Sequence, residues 1–425
     1  MANNKQNNSE IKHDPYAAFR YKEFRYFVLA RLLLTIGIQM QGVIIGWQIY
    51  DITHDLYSLG LVGLAEAIPF IAVVLYGGHL ADIISRKKQI INSVSLFLTA
   101  SIFLLLMSSN INILNIGTST WPMYVVIALT GIARGFAAPA YNSFYPQLVK
   151  KEDYQNSSAW NSTSWQAGAV SGPAMGGLIY GFFGVTIAYS VVATFILISI
   201  FCIILIKEKP TYPKKAGETL TESLKGGFRF VWKSQILLAA LSLDLFAVFF
   251  GGATAMLPAF AKDILFIGPE GLGYLRAAPA LGAVIMALVL ATRRPMKHAG
   301  RSLLLAIAGF GLCMICFALS KSFILSFALL AISGALDNIS VLIRSTILQL
   351  TTPDEMRGRV SSISSIFIGS SNEIGAFESG FAAKLMGLIP SVIFGGCMTL
   401  VVVVISGKYA PKLLKLNLRK SVGSF

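Results

Sequence analysis

The sequence is poor in charged residues. Lysine, arginine, aspartate and glutamate make up 13% of the 425 residues, about half the share of an average soluble domain. Hydrophobic residues account for 55%, and they fall in long runs separated by short polar segments. This composition excludes an ordinary soluble domain and indicates a membrane protein. At about 20 residues per crossing, the chain is long enough for about a dozen transmembrane helices.

Cysteine is scarce too, and all four cysteines lie in apolar segments: Cys202, Cys313, Cys316 and Cys397. Cys313 and Cys316 are spaced C-x-x-C, a spacing that can serve redox or metal sites. No second pair or nearby histidine accompanies them, so we interpret them as packing residues. The motifs H-E-x-x-H and G-x-S-x-G and a phosphate-binding glycine loop are also missing. The sequence therefore predicts no enzyme activity, no metal site and no cofactor.

Acidic residues are outnumbered by basic ones, 20 against 35, which gives a net charge of +15. Most of the lysines and arginines fall in the two tails and in loops on the same side of the membrane as the tails. By the positive-inside rule, this asymmetry predicts that both termini are cytoplasmic. The charge is thus an orientation signal, and no nucleic-acid partner is expected. Residues 1–23 are polar and the first apolar run is too long for a signal peptide, so none is expected.

Twelve apolar segments can be distinguished, centred near residues 37, 68, 98, 134, 170, 195, 248, 281, 310, 336, 373 and 398. They predict an all-α membrane protein with twelve transmembrane helices. We divide the chain into a tail (1–23), a first bundle (24–206), a linker (207–234), a second bundle (235–408) and a basic tail (409–425). Within the linker, four apolar residues fall on one helical face with three basic residues among them: Leu220, Leu224, Phe228 and Val231, with Lys225, Arg229 and Lys233. This pattern predicts a helix lying on the membrane surface.

The two bundles share short sequence matches. Gln147-Leu148 and Gln349-Leu350 are each followed, after three residues, by two acidic residues, and they come after the fourth and tenth segments. Phe24-Arg25-Tyr26 and Phe228-Arg229-Phe230 precede the first and seventh segments at nearly the same offset. Matches at equivalent positions predict that two six-helix halves arose by duplication and are related by pseudo-symmetry.

The fifth segment carries an unusual pattern of small residues: Gly168, Gly172, Pro173, Gly176 and Gly177. Glycine at every fourth position makes a groove in which another helix can approach closely. Proline removes a backbone donor and bends or loosens the helix. The pattern G-x-x-x-G-P-x-x-G-G resembles the antiporter motif on the fifth helix of major facilitator superfamily exporters. We expect this groove to face the other half of the molecule.

The loop after the second segment resembles the best-known motif of the same superfamily, through Gly78, Leu80, Ala81, Asp82, Arg86, Lys87 and Lys88. The resemblance implies a gating role, in which Asp82 latches the two halves in one conformation by a contact that can break. A basic loop that only fixes the topology is the alternative. Ile83 and Ser85 stand where the family often has a basic residue and a glycine, so a weaker latch is expected.

Four further stretches resemble the drug:proton antiporter-like branch that includes enterobactin (siderophore) exporters: Leu29–Arg31, Ser223–Phe230, Thr351–Val360 and Ser371–Gly380. The resemblance implies a monomeric, multi-pass protein of a bacterial cytoplasmic membrane. It also implies alternating access, with a small amphipathic molecule and protons as partners in the lipid bilayer. A proton-coupled importer is the alternative within transport. A receptor or scaffold that does not transport is the alternative from another class.

Charged and amide residues inside the apolar segments are the candidate site, because an intramembrane charge is costly unless it is paired or faces water. The candidates for proton coupling or for the substrate cavity are Arg31, Gln39, Glu66, Arg134, Asp244, Asp337, Arg344, Asn372 and Glu373. In this superfamily helices one, four, seven and ten line the central cavity. The resemblance therefore implies that Arg31, Arg134, Asp244 and Asp337 face one another. Arg276, Glu378 and Lys384 are placed near the outer ends of their helices and given less weight. Static ion pairs are the alternative.

Overall fold

The computed structural model describes residues 14, 16–109, 120–209, 220–251, 253–291, 298–353 and 356–414. The first half contains six long helices, α1 to α6: Lys22–Thr53, Leu56–Ile83, Arg86–Ser108, Trp121–Phe144, Tyr154–Phe183 and Val185–Ile204. The second half contains six more long helices, α7 to α12: Gln235–Phe250, Pro269–Ala291, Ala299–Leu319, Phe323–Thr351, Arg357–Met386 and Leu388–Tyr409. A shorter linker helix, Leu220–Lys233, joins the two halves.

The helix α7 is interrupted. Its regular part ends at Phe250, where Gly251 packs so closely on Phe310 that a Cβ atom there would lie 2.5 Å from the ring. The chain continues as the short turns Ala253–Met256, Leu257–Ala259 and Phe260–Ile264. Taken together, the segment Gln235–Ile264 is long and apolar enough to cross a membrane.

Ten helices within the described residues are long and apolar enough to span a membrane. The other two long helices, α5 and α11, complete the set of twelve; each has 30 residues, but its first half is rich in serine and other polar residues. Both helices lie between the two halves, so lipid does not have to cover their polar faces. The predicted all-α membrane fold, with twelve transmembrane helices in two six-helix bundles, is confirmed.

Pseudo-symmetry is visible in the glycines that end α5 and α11. Gly184 and Gly387 have φ angles of +82° and +92° with nearly extended ψ, a region that is essentially restricted to glycine. Each glycine reverses the chain directly into the next helix. The equivalent turn in the two halves agrees with duplication of a six-helix unit.

The two halves meet along two helix pairs, α2 with α11 and α5 with α8. We call the side of the bundle where α1 begins and α12 ends the terminal face, and the other side the opposite face. Towards the opposite face each pair is joined through glycines. A Cβ atom on Gly380 would lie 2.5 Å from the Cα of Gly60, and one on Gly177 would lie 2.7 Å from the Cα of Gly273. The halves therefore touch backbone to backbone on that side.

The linker helix packs under the second half. Val231 is buried against Leu241, Val360 and Ile363. The ring of Phe228, three residues earlier, is 47% exposed and stacks on the exposed Trp232 at 5.6 Å. The side chains of Leu220, Leu224 and Lys225 lie outside the described residues.

Candidate functional site

A cavity of about 880 Å³ lies between the two halves, and we call it the main cavity. Helices α1 to α5 of the first half and α7, α8 and α11 of the second half contribute to its walls. Its charged and amide lining consists of Arg31, Gln39, Glu66, Arg134, Arg276, Asn372 and Glu373. The volume suits a small-molecule ligand of drug size or larger.

The centre of the main cavity holds an ion-pair cluster of Glu66, Arg134 and Glu373, which we call the charge cluster. Arg134 Nη1 lies 2.7 Å from Glu66 Oε1 and donates a hydrogen bond of 2.9 Å to Glu373 Oε1. The Arg134 guanidinium also lies over the ring of Phe70, 4.5 Å from its centroid. Glu66 belongs to the same half as Arg134, whereas Glu373 belongs to the other half. One guanidinium thus binds a carboxylate from each half.

The packing of α4 on α2 explains how Arg134 reaches Glu66. A Cβ atom on Gly131 would lie only 2.5 Å from the backbone oxygen of Glu66, so glycine lets the two helices approach closely. All three side chains of the charge cluster keep some exposure to the cavity, 33% for Arg134, 23% for Glu66 and 16% for Glu373. The cluster therefore faces the cavity and is not sealed in a core.

Arg31 and Arg276 lie towards the two ends of the main cavity. The Arg31 guanidinium lies over the ring of Tyr141 at 4.8 Å, and its Nε atom is buried without a hydrogen-bond partner among the described residues. Arg276 lies against α1 where that helix lacks side chains. Cβ atoms on Gly42 and Gly46 would be 3.5 Å and 3.4 Å from its guanidinium nitrogens.

A second, smaller cavity of about 180 Å³ lies within the second half, and we call it the side pocket. Asp244, Asp337 and Ser340 line it, and Asn372 lines both cavities. Arg344 forms an ion pair with Asp244, and both side chains are nearly buried. In the described part of the chain, Asp337 has no ion pair, and the buried Ser340 hydroxyl has no hydrogen-bond partner. The side pocket thus adjoins the main cavity but has its own charges.

The structure separates the four residues that were expected to face one another. Arg31 and Arg134 line the main cavity, whereas Asp244 and Asp337 line the side pocket. Glu66 and Glu373, on helices two and eleven, take the positions opposite Arg134 instead. Arg276 also lines the main cavity, although its position near the end of an apolar segment gave it less weight as a candidate. An arginine within an apolar segment is costly unless it is paired or faces water, and that cost could have identified it.

The main cavity is closed towards the opposite face. Tyr50 donates a hydrogen bond to Asp263, and Lys262 forms an ion pair with Asp51. Other contacts of this layer centre on Tyr57, which meets the rings of Phe377 and Phe381 and lies under the ammonium group of Lys384. Every one of these contacts joins the first half to the second. We refer to this layer as the closed end.

The gating motif lies on the terminal face. The helix α2 runs through Gly78 to Ile83, and Ser85 begins α3 by accepting from the backbone N–H of Lys88. Arg86 Nη1 donates to the carbonyl of Ser143, and Lys87 Nζ donates to the carbonyls of Ile204 and Ile206. These basic residues therefore bind helix C-termini of their own half, where a positive charge is stabilised. The side chain of Asp82 lies outside the described residues.

The antiporter motif lies on α5, which continues through Pro173 without a break. The expectation that its glycine groove faces the other half is wrong for three of the glycines. Cβ atoms on Gly168, Gly172 and Gly176 would lie 2.7 to 2.9 Å from atoms of α1 in the same half. Only Gly177, one position later on the helix, meets the other half at Pro269 and Gly273. The stripe packs α5 on α1 because residues four apart share one helix face.

The amino-acid sequence matches a known protein family. Residues 13–421 match the family described as transmembrane secretion effectors. The enterobactin exporter EntS of Shigella boydii serotype 18 is 28% identical over 384 residues, covering 89% of each chain. The exporter of the same name from Escherichia coli O1:K1 / APEC has the same identity and coverage.

Solved structures agree on the fold. A POT family transporter crystallised with 5-aminolevulinic acid superposes with a TM-score of 0.71 at 12% identity, over 92% of this chain and 96% of that chain. A bacterial homolog of the human lysosomal transporter Spinster, inward-facing and unoccupied, gives a TM-score of 0.69 at 16% identity, with the same coverage. Since the family match extends over nearly the whole sequence, the chain belongs to the transmembrane secretion effector family of major facilitator superfamily transporters.

Proposed function

We propose that this transporter exports a small amphipathic, siderophore-like molecule across a bacterial cytoplasmic membrane by alternating access. The direction is supported by the relatives that are named enterobactin exporters and by the resemblance of the α5 glycine pattern to the antiporter motif. The observation that carries the mechanism is the Arg134–Glu373 ion pair. It joins the two halves inside a cavity that is closed on one side, so it must break when the halves rock.

The proposed orientation puts the terminal face in the cytoplasm. Arg86, Lys87 and Lys88 lie on that face, and the basic tails are expected there too. The closed end then faces outward, and the conformation is the one that loads substrate from the cytoplasm. A monomer suffices for this cycle, because both walls of the main cavity come from one chain.

Inward proton flow is the proposed driving force, with Glu373 as the coupling group. In the charge cluster a single guanidinium faces two carboxylates, so one carboxylate can take up a proton while the other keeps Arg134 paired. Once the cavity has opened outward and this ion pair has broken, a proton from outside neutralises Glu373, so the halves can return without an unpaired carboxylate. Release of that proton to the cytoplasm restores the ion pair with Arg134. Asp337, which has no ion pair among the described residues, is the second candidate.

Everted membrane vesicles test both direction and coupling. Radiolabelled enterobactin should accumulate in vesicles whose interior has been acidified, and a protonophore should abolish the accumulation. Loss of label from preloaded vesicles under the same gradient would instead show import. Glu373→Gln should abolish gradient-driven accumulation while exchange of labelled for unlabelled substrate continues.

Glu378→Gln, further along α11, is the matched control and should accumulate substrate as the parent does. If Glu373→Gln transports normally and Asp337→Asn does not, the coupling group lies in the side pocket. If enterobactin does not move in any assay while the protein is folded and inserted, the proposed substrate class is wrong.

A further inference from the structure

The charges of the main cavity do not balance. Among the described residues that line it, Arg31, Arg134 and Arg276 are basic, whereas Glu66 and Glu373 are acidic. Both acids are bound to the middle arginine. The part of the chain that the structure describes offers no carboxylate partner to Arg31 or Arg276. The lining therefore carries one net positive charge, and the arginines at the two ends of the cavity make no direct ion pair within the described residues.

Arg276 lies near the closed end, where two glycines of α1 leave room for its guanidinium. Gly42 and Gly46 present bare backbone to its guanidinium, and a Cβ atom on Gly46 would also lie 3.5 Å from the Pro258 ring. Larger side chains on this face of α1 would displace the guanidinium from its contact with the α1 backbone. An arginine in this membrane-embedded position is costly unless it is paired or faces water. The contact with α1 thus fixes the position of the guanidinium, which can still bind a ligand in the main cavity.

Arg31 is available for a different reason. Its planar guanidinium rests on the ring of Tyr141, which supports the cation but takes no N–H hydrogen bond in the plane of the group. Its Nε atom is buried and has no hydrogen-bond partner in the described residues. The Nε atom itself is out of a ligand's reach, so the rest of the guanidinium, which belongs to the cavity lining, is the part that an anion can bind. An ionised oxygen acid can bind such a fork through two parallel hydrogen bonds.

The distance between the two arginines also bears on the ligand. Arg31 and the Gly42 turn that supports Arg276 are separated by about 16 Å along α1, at a rise of 1.5 Å per residue. Between them the cavity holds the charge cluster, and beside it an apolar part of the wall that includes Ile38, Trp165 and Ile368. A ligand with an acidic group and an apolar body can thus place its anion on one arginine and its body against this wall.

We propose that the main cavity recognises acidic amphipathic molecules, binding the ionised acid through Arg276 near the closed end and through Arg31 towards the terminal face. This assignment rests on the proposed function, since it names the chemical class of the exported substrate. Arg134 is not part of the recognition, because its guanidinium is already bound to two carboxylates. A molecule with two separated acidic groups engages both arginines at once, and a molecule with one acidic group engages either.

A matched pair of fluorescent probes tests the assignment without any transport. Anilinonaphthalene sulfonate carries one anionic group, and phenylnaphthylamine has the same ring system without the sulfonate. Binding of each probe to the full-length protein in nanodiscs is measured by calorimetry, with empty nanodiscs subtracted. We expect the sulfonate probe to bind at least tenfold more tightly than the neutral probe, because a charge-assisted hydrogen bond adds about 1.5–3 kcal/mol. Equal affinities for the two probes would overturn the assignment.

Arginine variants locate the site. Arg276→Gln and Arg31→Gln should each weaken binding of the sulfonate probe and leave the neutral probe unchanged, and the double variant should remove the preference for the anion. Arg276→Lys should keep part of it. Arg301→Gln, which removes an exposed arginine on α9, is the control and should bind as the parent does. If both cavity variants bind the sulfonate probe as tightly as the parent, the assignment is wrong.

The outcomes separate this inference from the proposed function. Arginine-dependent binding of the sulfonate probe without transport of enterobactin leaves the anion site in place and refutes export of that substrate. Transport of enterobactin with no preference between the two probes leaves export in place and refutes the anion site. If a variant does not fold, the comparison of the two probes on the unmodified protein still decides the question.

Discussion

Adding one carbon atom at Gly380 should open the closed end of the main cavity. Gly380 on α11 touches Gly60 on α2, and a Cβ atom there would lie 2.5 Å from the Gly60 Cα and 3.0 Å from the Leu56 carbonyl oxygen. Both are backbone atoms, so no side chain can rotate away to make room. In Gly380→Ala the two helices must therefore separate on the opposite face.

The magnitude follows from the overlap. Carbon atoms in contact normally lie about 3.5–4.0 Å apart, so α2 and α11 must part by about 1 Å. Overpacking of this kind typically costs about 1–3 kcal/mol. Only the conformation in which α2 and α11 touch bears this cost, because the opposite conformation separates them. The population ratio should therefore shift by about 5- to 150-fold towards the conformation that is open on the opposite face.

Distances between spin labels measure this shift. Labels on Trp121→Cys and Leu385→Cys sit at exposed positions near the opposite face, one in each half, in a background without the native cysteines. The unmodified protein should give a short distance, and Gly380→Ala should add or enlarge a longer component. Gly177→Ala, at the equivalent α5–α8 contact, should act in the same direction.

Gly407→Ala is the matched control, since the nearest atom to its Cβ would be 3.8 Å away. It should leave the distance distribution unchanged. An unchanged distribution in Gly380→Ala as well, with the protein folded, would refute the conclusion that this glycine contact holds the cavity closed.

Three further predictions concern topology, gating and packing. A cysteine placed in residues 112–118, which lie outside the described residues, should react with an impermeant thiol reagent from outside the cell, and one in 207–215 should not; the reverse pattern would invert the proposed orientation. Asp82→Asn should reduce transport much more than the amount of inserted protein, whereas equal losses would indicate a purely structural role. Gly172→Val should lower the melting temperature in detergent without causing a proton leak, because a Cβ atom there would lie 2.7 Å from the Gln39 Cβ within the same half. A leak in vesicles at normal stability would contradict that reasoning.

The sequence determined the transmembrane helices and the family, for a physical reason. A span of about 20 apolar residues must form a helix in lipid, because each backbone polar group needs an internal partner. This requirement is local, so the twelve centres could be read directly from the sequence. The glycines of α5 could likewise be recognised as a packing stripe, since residues four apart share one helix face.

The tertiary structure alone decided which charges meet. Arg134 and Glu373 are separated by 239 residues, and their pairing depends on how the two halves are placed and how each helix is rotated. The same rotation turns Gly168, Gly172 and Gly176 towards α1 and places Gly177 against the other half. It also brings Arg276 into the main cavity, although its position in the sequence suggested the edge of the membrane. Helix rotation depends on packing against neighbours from distant parts of the chain, and no local pattern of residues specifies it.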